Sequence, residues 1–440
     1  MKIAWFTPFS KDSAIGKYSQ SITNELTKRC DVDLWLSTSC TDTLPTKLKI
    51  FYYYPDEDLS TKLRDYDFIV YNIGNNLPFH KDIYEASYKV RGIIISHDFV
   101  MQHFFAAYYQ FKGNKLAYVY DMERLYGTSC RDITSDSING KKLPPLWETD
   151  EVVKYPFFEK AIEGALGVVV HSRFHADRAR QMFLGPVEVI YHPFYSYSDT
   201  INKSYLKRID MGIPEDKILI LTTGHVNPNK RIDKVLNVLG EHKDLAERVI
   251  YVIVGPYNHQ KYYSELQSII ERHNLSSVVR FLGYQPDDVL YAYLMNADIV
   301  VNLRYPTTEG ASGSLIEQLY FGKPVIVNNT GFYSELPDSC VLKVDVDEKE
   351  EENLYLALRN LSYDGDLRKR IGMQGKQFAT ENFTSQRYCE KFMEFLEKVQ
   401  YWRPTLKLID RVSMELSLMG VTEDAKIVDG IAKEIYRLVL

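Results

Sequence analysis

Short apolar runs alternate with amphipathic segments through the first half of the chain, and the runs carry the punctuation of strands. Residues 3–6 predict a strand, followed by a turn through Pro8 and Ser13 and a helix with Ile15, Ile22 and Leu26 on one side. Further strands are predicted at 32–36, 67–71, 92–96, 166–170 and 187–191. Several are continuous β-branched runs, which suits a parallel sheet covered on both faces. Between Tyr191 and Lys217 the alternation stops, and the polar, turn-rich stretch 195–202 reads as a linker. A second series follows, with strands at 217–223, 249–254, 278–282, 298–303 and 324–328 and helices at 232–239, 259–273, 288–296 and 314–321. The tail from Glu351 reads as helices only, with a break at Pro404. The expected class is α/β: two doubly wound domains, 1–200 and 201–400, and a helical extension, 401–440, placed to cross back onto the first domain or to form an interface.

Composition narrows the function. Hydrophobic residues make up 45% and charged residues 25% of the 440, which excludes disordered, collagenous and coiled-coil classes. With 53 basic against 59 acidic residues the net charge is -6, and no general basic field exists to hold nucleic acid. Five scattered cysteines offer neither a disulfide framework nor a zinc cluster and suit a reducing compartment. The N-terminal MKIAWFTPF lacks the features of a signal peptide, and no apolar run approaches the roughly 20 residues of a membrane span. The expected location is the cytoplasm, at most peripheral to a membrane. The 33 tyrosines suit sugar-stacking surfaces, though half-buried surface packing is the better account of most of them.

In doubly wound folds ligands lie beyond the carboxyl ends of the strands, which selects four segments. The first is Glu309-Gly-Ala-Ser-Gly-Ser-Leu-Ile-Glu317. Gly310 and Gly313 allow a ligand close to the backbone, and Ser314 opens a helix whose free N–H groups attract phosphate. Glu317, one turn in, can reach paired ribose hydroxyls, and Glu309 the hydroxyls of a sugar. An ordinary strand–loop–helix junction with two solvated glutamates is the structural alternative. The second segment, Gly224-His-Val-Asn-Pro-Asn-Lys230-Arg231, places cations where they could neutralise a diphosphate, or simply a solvated pair capping a loop. It is not a Walker loop. The third is His97-Asp98 at the end of a buried strand, a sugar or acceptor contact or a satisfied structural histidine. The fourth, Ser13 to Ser19 around Gly16, lacks the dinucleotide fingerprint but leaves room for phosphate or acceptor. His171 and His175 could share a helix face, yet Ser172 stands where a zinc protease needs glutamate. The pairs Asp31/Asp33 and Asp345/Asp347 read as solvated. No metal site is expected.

Taken in order, these segments resemble the retaining glycosyltransferases of family 4, whose GT-B fold is two facing Rossmann-like domains. Gly224 to Lys230, Val252-Ile-Val-Gly255, Phe281-Leu-Gly283-Tyr284, Glu309 to Glu317 and Gly322-Lys-Pro-Val-Ile carry the likeness in the second half, and Tyr71 to Asn76 and Ile94 to Asp98 in the first. The resemblance runs from Met1 to about Val399. It implies that Lys230 holds the donor's pyrophosphate and Glu317 its ribose, and that Glu309 contacts the transferred sugar. It also implies that the backbone of Gly313, Ser314 and Leu315 cradles phosphate and sugar, that His97 touches the donor sugar, and that the backbone around Tyr284 meets the base. Where the family has arginine after the first glycine this chain has His225, with Arg231 as a candidate substitute.

The implied activity is transfer of a sugar from a nucleoside diphosphate to an acceptor hydroxyl with retained configuration, without a metal or other cofactor. The acceptor would be a glycan, a lipid-linked group or a small molecule; the oligomeric state is open. A sugar-nucleotide epimerase of the same fold, a nicotinamide oxidoreductase and a non-catalytic partner subunit are the rivals. Residues 101–147 are too irregular to read, and their aromatics (Phe104, Phe105, Tyr108, Tyr109, Phe111) either face a lipid-linked acceptor or pack a core.

Overall fold

A computed structural model describes residues 1–195, 206–422 and 425–439. Residues 196–202, most of the expected linker, lie outside the described residues. The described chain forms two wholly parallel sheets. The first holds β1 (Lys2–Phe6), β2 (Asp31–Ser37), β3 (Lys49–Tyr53), β4 (Phe68–Ile73), β5 (Ile93–Ser96), β6 (Gly167–Val170) and β7 (Val187–Val189) in the order β3-β2-β1-β4-β5-β6-β7. The second holds β8 (Ile218–Thr223), β9 (Val249–Val254), β10 (Val279–Phe281), β11 (Ile299–Asn302), β12 (Val325–Asn328) and β13 (Leu342–Val344) in the order β10-β9-β8-β11-β12-β13. Continuous runs such as the IIIS of β5 and the VIYVIV of β9 are buried along their whole length, because helices cover both faces. The strand order reverses between β1 and β4 and again between β8 and β11. Those two switch points position everything functional below.

Two strands were not predicted. In β3 (KIFYY) only Tyr53 is fully buried, so the run shows neither continuous nor alternating burial at the sheet's edge. β13 is short and half-buried at the opposite edge. The stretch 101–147 is helical over Gln102–Phe111, Lys115–Tyr126 and Arg131–Ile138. Phe104, Phe105 and Tyr109 are core residues, whereas Phe111 is exposed.

The largest departure concerns the tail. Helix Ser385–Leu418 runs straight through Pro404 without the expected break. Its first half belongs to the first domain's core: Tyr388, Phe392, Phe395 and Val399 pack with Trp5, Tyr18 and Ile22. Trp5 and Phe392 meet edge to face at 5.8 Å. Gly167 on β6 matters here, since a Cβ would stand 2.6 Å from Val399 Cγ2. A proline costs the helix one hydrogen bond, and here both flanks are held. Arg403 donates to the Asp67 carbonyl and covers the Phe68 ring, and Asp410 pairs with Arg91. The crossing back therefore begins at Ser385, about four helical turns before the predicted end of the second domain at residue 400, and residues 405–418 merely extend it. No helix among the described residues is long and apolar enough to cross a membrane.

Candidate active site between the two domains

The second domain's switch point gathers one cation pair and one carboxylate. Gly224 follows β8 with φ of 99°, in the left-handed region that favours glycine, and a Cβ there would sit 2.8 Å from Lys230 Nζ. The short 3-10 turn Pro228–Lys230 returns the chain so that Lys230 Nζ donates to the Thr223 carbonyl at 2.9 Å. Lys230 is only 8% exposed. Burial, and then the Arg304 guanidinium, push its pKa well below the ordinary lysine value, while Glu309 pulls it back up. Arg304, just past β11, donates from Nε to Glu309 Oε1 at 3.1 Å, and Tyr333 Oη donates to the same oxygen at 2.7 Å. Burial pulls Glu309 upward, but Arg304 and Tyr333 outweigh it, so its pKa lies below the ordinary value and the carboxylate stays ionised.

Helix Gly313–Tyr320 starts beside this group, one residue earlier than predicted, with Ser312 as its cap. Ser312 Oγ accepts from the Leu315 N–H at 3.3 Å. That N–H is thus spent, and the Leu315 side chain is core, which leaves the Gly313 and Ser314 N–H groups as the open end of the helix. Gly313 opens onto free space. Glu317 accepts from Tyr291 Oη at 3.4 Å, and burial, with Asp287 nearby, raises its pKa to about 7. Lys17 of the first domain stands 4.0 Å from Asp287, across the cleft.

The first domain closes the site from the other side. Asp98 and Glu309 form an isolated antiparallel bridge. Gly310 N–H donates to the His97 carbonyl at 3.1 Å, and Val100 N–H to the Thr308 carbonyl at 2.9 Å. Burial raises Asp98 to about 6 against the Asn75 N–H that it accepts at 2.7 Å. His97 is held within a polar line: its Nε2 meets Asn72 Oδ1 at 3.0 Å, its Nδ1 meets His171 Nε2 at 3.1 Å, and His171 Nδ1 meets the Ile190 carbonyl at 2.8 Å. Asn72 Nδ2 donates to the Phe6 carbonyl at 2.9 Å, which fixes Oδ1 as an acceptor. Both ring nitrogens of His97 are thus engaged by protein.

The structure therefore brings Lys230, Glu309, Gly310, His97 and Asp98 together, with Gly224, Gly313, Ser314 and Glu317 alongside. Others are committed to contacts of their own or left exposed. Arg231 forms a bidentate pair with Glu350, whose Oε1 also accepts from Asn328, so its guanidinium is engaged by the fold. His225 is exposed beside the turn. Tyr284 is 74% exposed on the loop after β10. Gly16 is needed for packing: a Cβ would lie 2.5 Å from the Pro8 carbonyl oxygen. His171 precedes the helix Arg173–Arg180 rather than sharing its face with His175, because Ser172 is the cap. Among the described residues no three His, Cys, Asp or Glu side chains gather as a metal site. Sequence reasoning missed Arg304 and Tyr333. A cation directly after the predicted strand 298–303 was a usable signal for the first; nothing in the sequence marks the second.

Residues 206–378 match the family Glycosyl transferases group 1. An uncharacterized glycosyltransferase of Methanocaldococcus jannaschii is 21% identical over 188 residues, 42% of this chain and 46% of that protein, so the match spans about half of the curated relative. The fold is similar to Anabaena HepE, solved with UDP and glucose (TM-score 0.59, 16% identity, 90% of this chain and 99% of that one). It is also similar to sucrose-phosphate synthase of Thermosynechococcus elongatus (TM-score 0.61, 14% identity, 91% and 99%). The chain thus has the two-domain GT-B fold of these structures, and residues 206–378 are similar to the Glycosyl transferases group 1 domain.

Proposed function

We propose that the protein is a retaining, metal-independent glycosyltransferase that moves a sugar from a nucleoside diphosphate to an acceptor hydroxyl in the cytoplasm. The observation that carries this reading is the buried Lys230 at the β8/β11 switch point, facing Arg304 and Glu309 beside the uncapped N–H groups of Gly313 and Ser314. As the anomeric C–O bond to the diphosphate breaks, negative charge grows on the departing oxygen. Lys230 and the helix start stabilise that charge without a divalent ion, each well-placed donor contributing about 3–4 kcal/mol. The acceptor oxygen bonds to the same face of the anomeric carbon, and its proton passes to the leaving phosphate. Glu317 accepts the ribose hydroxyls, and Glu309, ionised and aligned by Arg304 and Tyr333, accepts hydroxyls of the transferred sugar. His97, its ring held by Asn72 and His171 and its carbonyl by Gly310, positions Asp98 and the Glu309 loop beside the transferred sugar. Arg304 takes the place of the second cation that Arg231 does not supply. The five cysteines are free, as a reducing compartment requires.

The experiment is a thermal-shift screen of UDP-, GDP-, ADP- and dTDP-glucose with and without EDTA, UDP-glucose first because HepE was solved with UDP and glucose. One nucleotide should stabilise the protein equally in both conditions, and proton NMR of the product should show the donor's anomeric configuration. No stabilising nucleotide, stabilisation abolished by EDTA, or release of a free sugar as the sole product would overturn the reading.

A further inference from the structure

Lys230 and the start of helix Gly313–Tyr320 stand on different strands. Lys230 is anchored at the end of β8 through the Thr223 carbonyl, whereas the helix follows β11. One buried side chain spans the crevice between them. Gln318, one turn after Ser314 and 1% exposed, donates from Nε2 to Thr223 Oγ1 at 3.1 Å. Its Oε1 accepts from Asn302 Nδ2 at 2.7 Å. Thr223 is the last residue of β8 and Asn302 the last of β11, so this amide ties both strand ends to the helix. Its neighbours Leu315, Ile316 and Leu319 are core. An apolar side chain would fill the same space without the desolvation that a buried amide incurs, so packing does not account for a glutamine here.

The hydrogen bonds lead to Ser314. Of the two hydrogens on Asn302 Nδ2, one goes to Gln318 and the other to Ser314 Oγ at 3.3 Å. Asn302 is 2% exposed, and its Oδ1 has no partner among the described residues, so these two donations alone hold the amide. Ser314 Oγ is an acceptor on its Asn302 side and keeps its own hydrogen to give. Ser312 Oγ lies 3.2 Å away, but it already accepts the Leu315 N–H as the helix cap. Ser314 is half-buried beside Gly313, which opens onto free space. A phosphate oxygen arriving there is charged and a stronger acceptor for this hydrogen than the serine.

We propose that Gln318 is a positioning residue for departure of the diphosphate. Through Asn302 it leaves the Ser314 hydroxyl hydrogen free to donate to the leaving phosphate, and through Thr223 it holds that hydroxyl in register with Lys230. Charge on the phosphate grows only as the anomeric bond breaks, so the alignment acts on the transition state more than on donor binding. This rests on the glycosyltransferase reading above and adds a side-chain hydroxyl to the lysine and the helix N–H groups.

The test is single-turnover cleavage of whichever of UDP-, GDP-, ADP- and dTDP-glucose gives the largest thermal shift, with calorimetric titration of the matching nucleoside diphosphate. Ser314→Ala, at a half-buried position that threatens no core, should slow cleavage about tenfold or more. Gln318→Met, which keeps the volume and removes both bonds, should do the same, and in both variants diphosphate affinity should change less than about threefold. The double variant should match Gln318→Met within about twofold, because both changes remove one hydrogen bond to the phosphate. Gln318→Glu, whose protonated carboxyl can make the same two bonds, should recover most of the rate and serves where Gln318→Met does not fold. A Ser314→Ala rate within about twofold of wild type, losses that multiply in the double variant, no recovery with Gln318→Glu, or an affinity loss as large as the rate loss would overturn the inference and leave the transferase reading standing. A wild type that cleaves none of the four nucleotide sugars would overturn the transferase reading, and this inference with it.

Discussion

Asp98 and Glu309, one from each domain, pair as an isolated antiparallel β-bridge that joins the end of the β5 strand to the loop after β11. The bridge makes Gly310 a contact point between domains: a Cβ there would lie 2.7 Å from the His97 carbonyl oxygen and 3.3 Å from His175 Nδ1. Gly310→Ala should therefore force the loop off His97 and displace Glu309. The expected result is a drop in turnover of at least about 10²-fold, the cost of misplacing a reacting group by an ångström, with far-UV circular dichroism unchanged.

Donor affinity should show a bell-shaped dependence on pH. Glu317, with its pKa raised to about 7, must be ionised to accept ribose hydroxyls, so affinity rises as pH rises through about 7. Lys230, pushed well below the ordinary lysine value, must be protonated to meet the diphosphate, so affinity falls again as pH rises through its value in the bound state. Calorimetric titration across pH should show both limbs. Glu317→Gln should remove the acidic limb while leaving the basic one.

Acid should unfold the first domain early. His80 and His171 are held to about 4, and His175 and His192 to about 3, in each case chiefly by burial. The unfolded chain binds protons on these rings below about 6.5, so their stability contribution is complete above that value and is lost as pH falls from 6.5 towards 4. Each histidine steepens the loss by about 1.4 kcal/mol per pH unit. His175 has no hydrogen bond on either ring nitrogen and sits among Phe99 and Phe158. His175→Phe should consequently flatten the decline of urea-unfolding free energy with falling pH by that amount, with little change at pH 8.

The helix that crosses back should be integral to the first domain. Phe392 is fully buried against Trp5, and Phe392→Ala should cost about 3–5 kcal/mol, read as a lower midpoint of chemical unfolding. Met414→Ala, at a 60% exposed position on the same helix, should change stability by less than about 0.5 kcal/mol.

Much of this architecture was legible beforehand, because long buried strands announce themselves by continuous β-branched runs. β9 and β5 have no competing reading once the flanking helices are recognised. The edge strand β3 was missed for the same physical reason: with one neighbour and partial cover, its burial leaves no period to detect. Pro404 misled because a proline's local cost was weighed without the anchors that repay it, Arg403 on Asp67 and Asp410 on Arg91, which are more than 300 residues apart in sequence. That Lys230, Glu309 and Glu317 lie at strand ends facing the cleft was readable from strand-end position and glycine spacing. The pairing of Arg231 with Glu350 was not legible, since the two are distant in sequence and the ion pair between them is a property of the fold. Tyr333 reaches Glu309 from helix Gly331–Ser334, and only tertiary structure brings the two together.

The central claim is that Lys230 stabilises the departing diphosphate. Its most direct test is single-turnover cleavage of the nucleotide sugar chosen by thermal shift, comparing the wild type with Lys230→Ala under saturating acceptor. A fall of about 10²–10³ in the rate constant, with the folded state retained, is the predicted result. A rate constant unchanged within error would contradict the account.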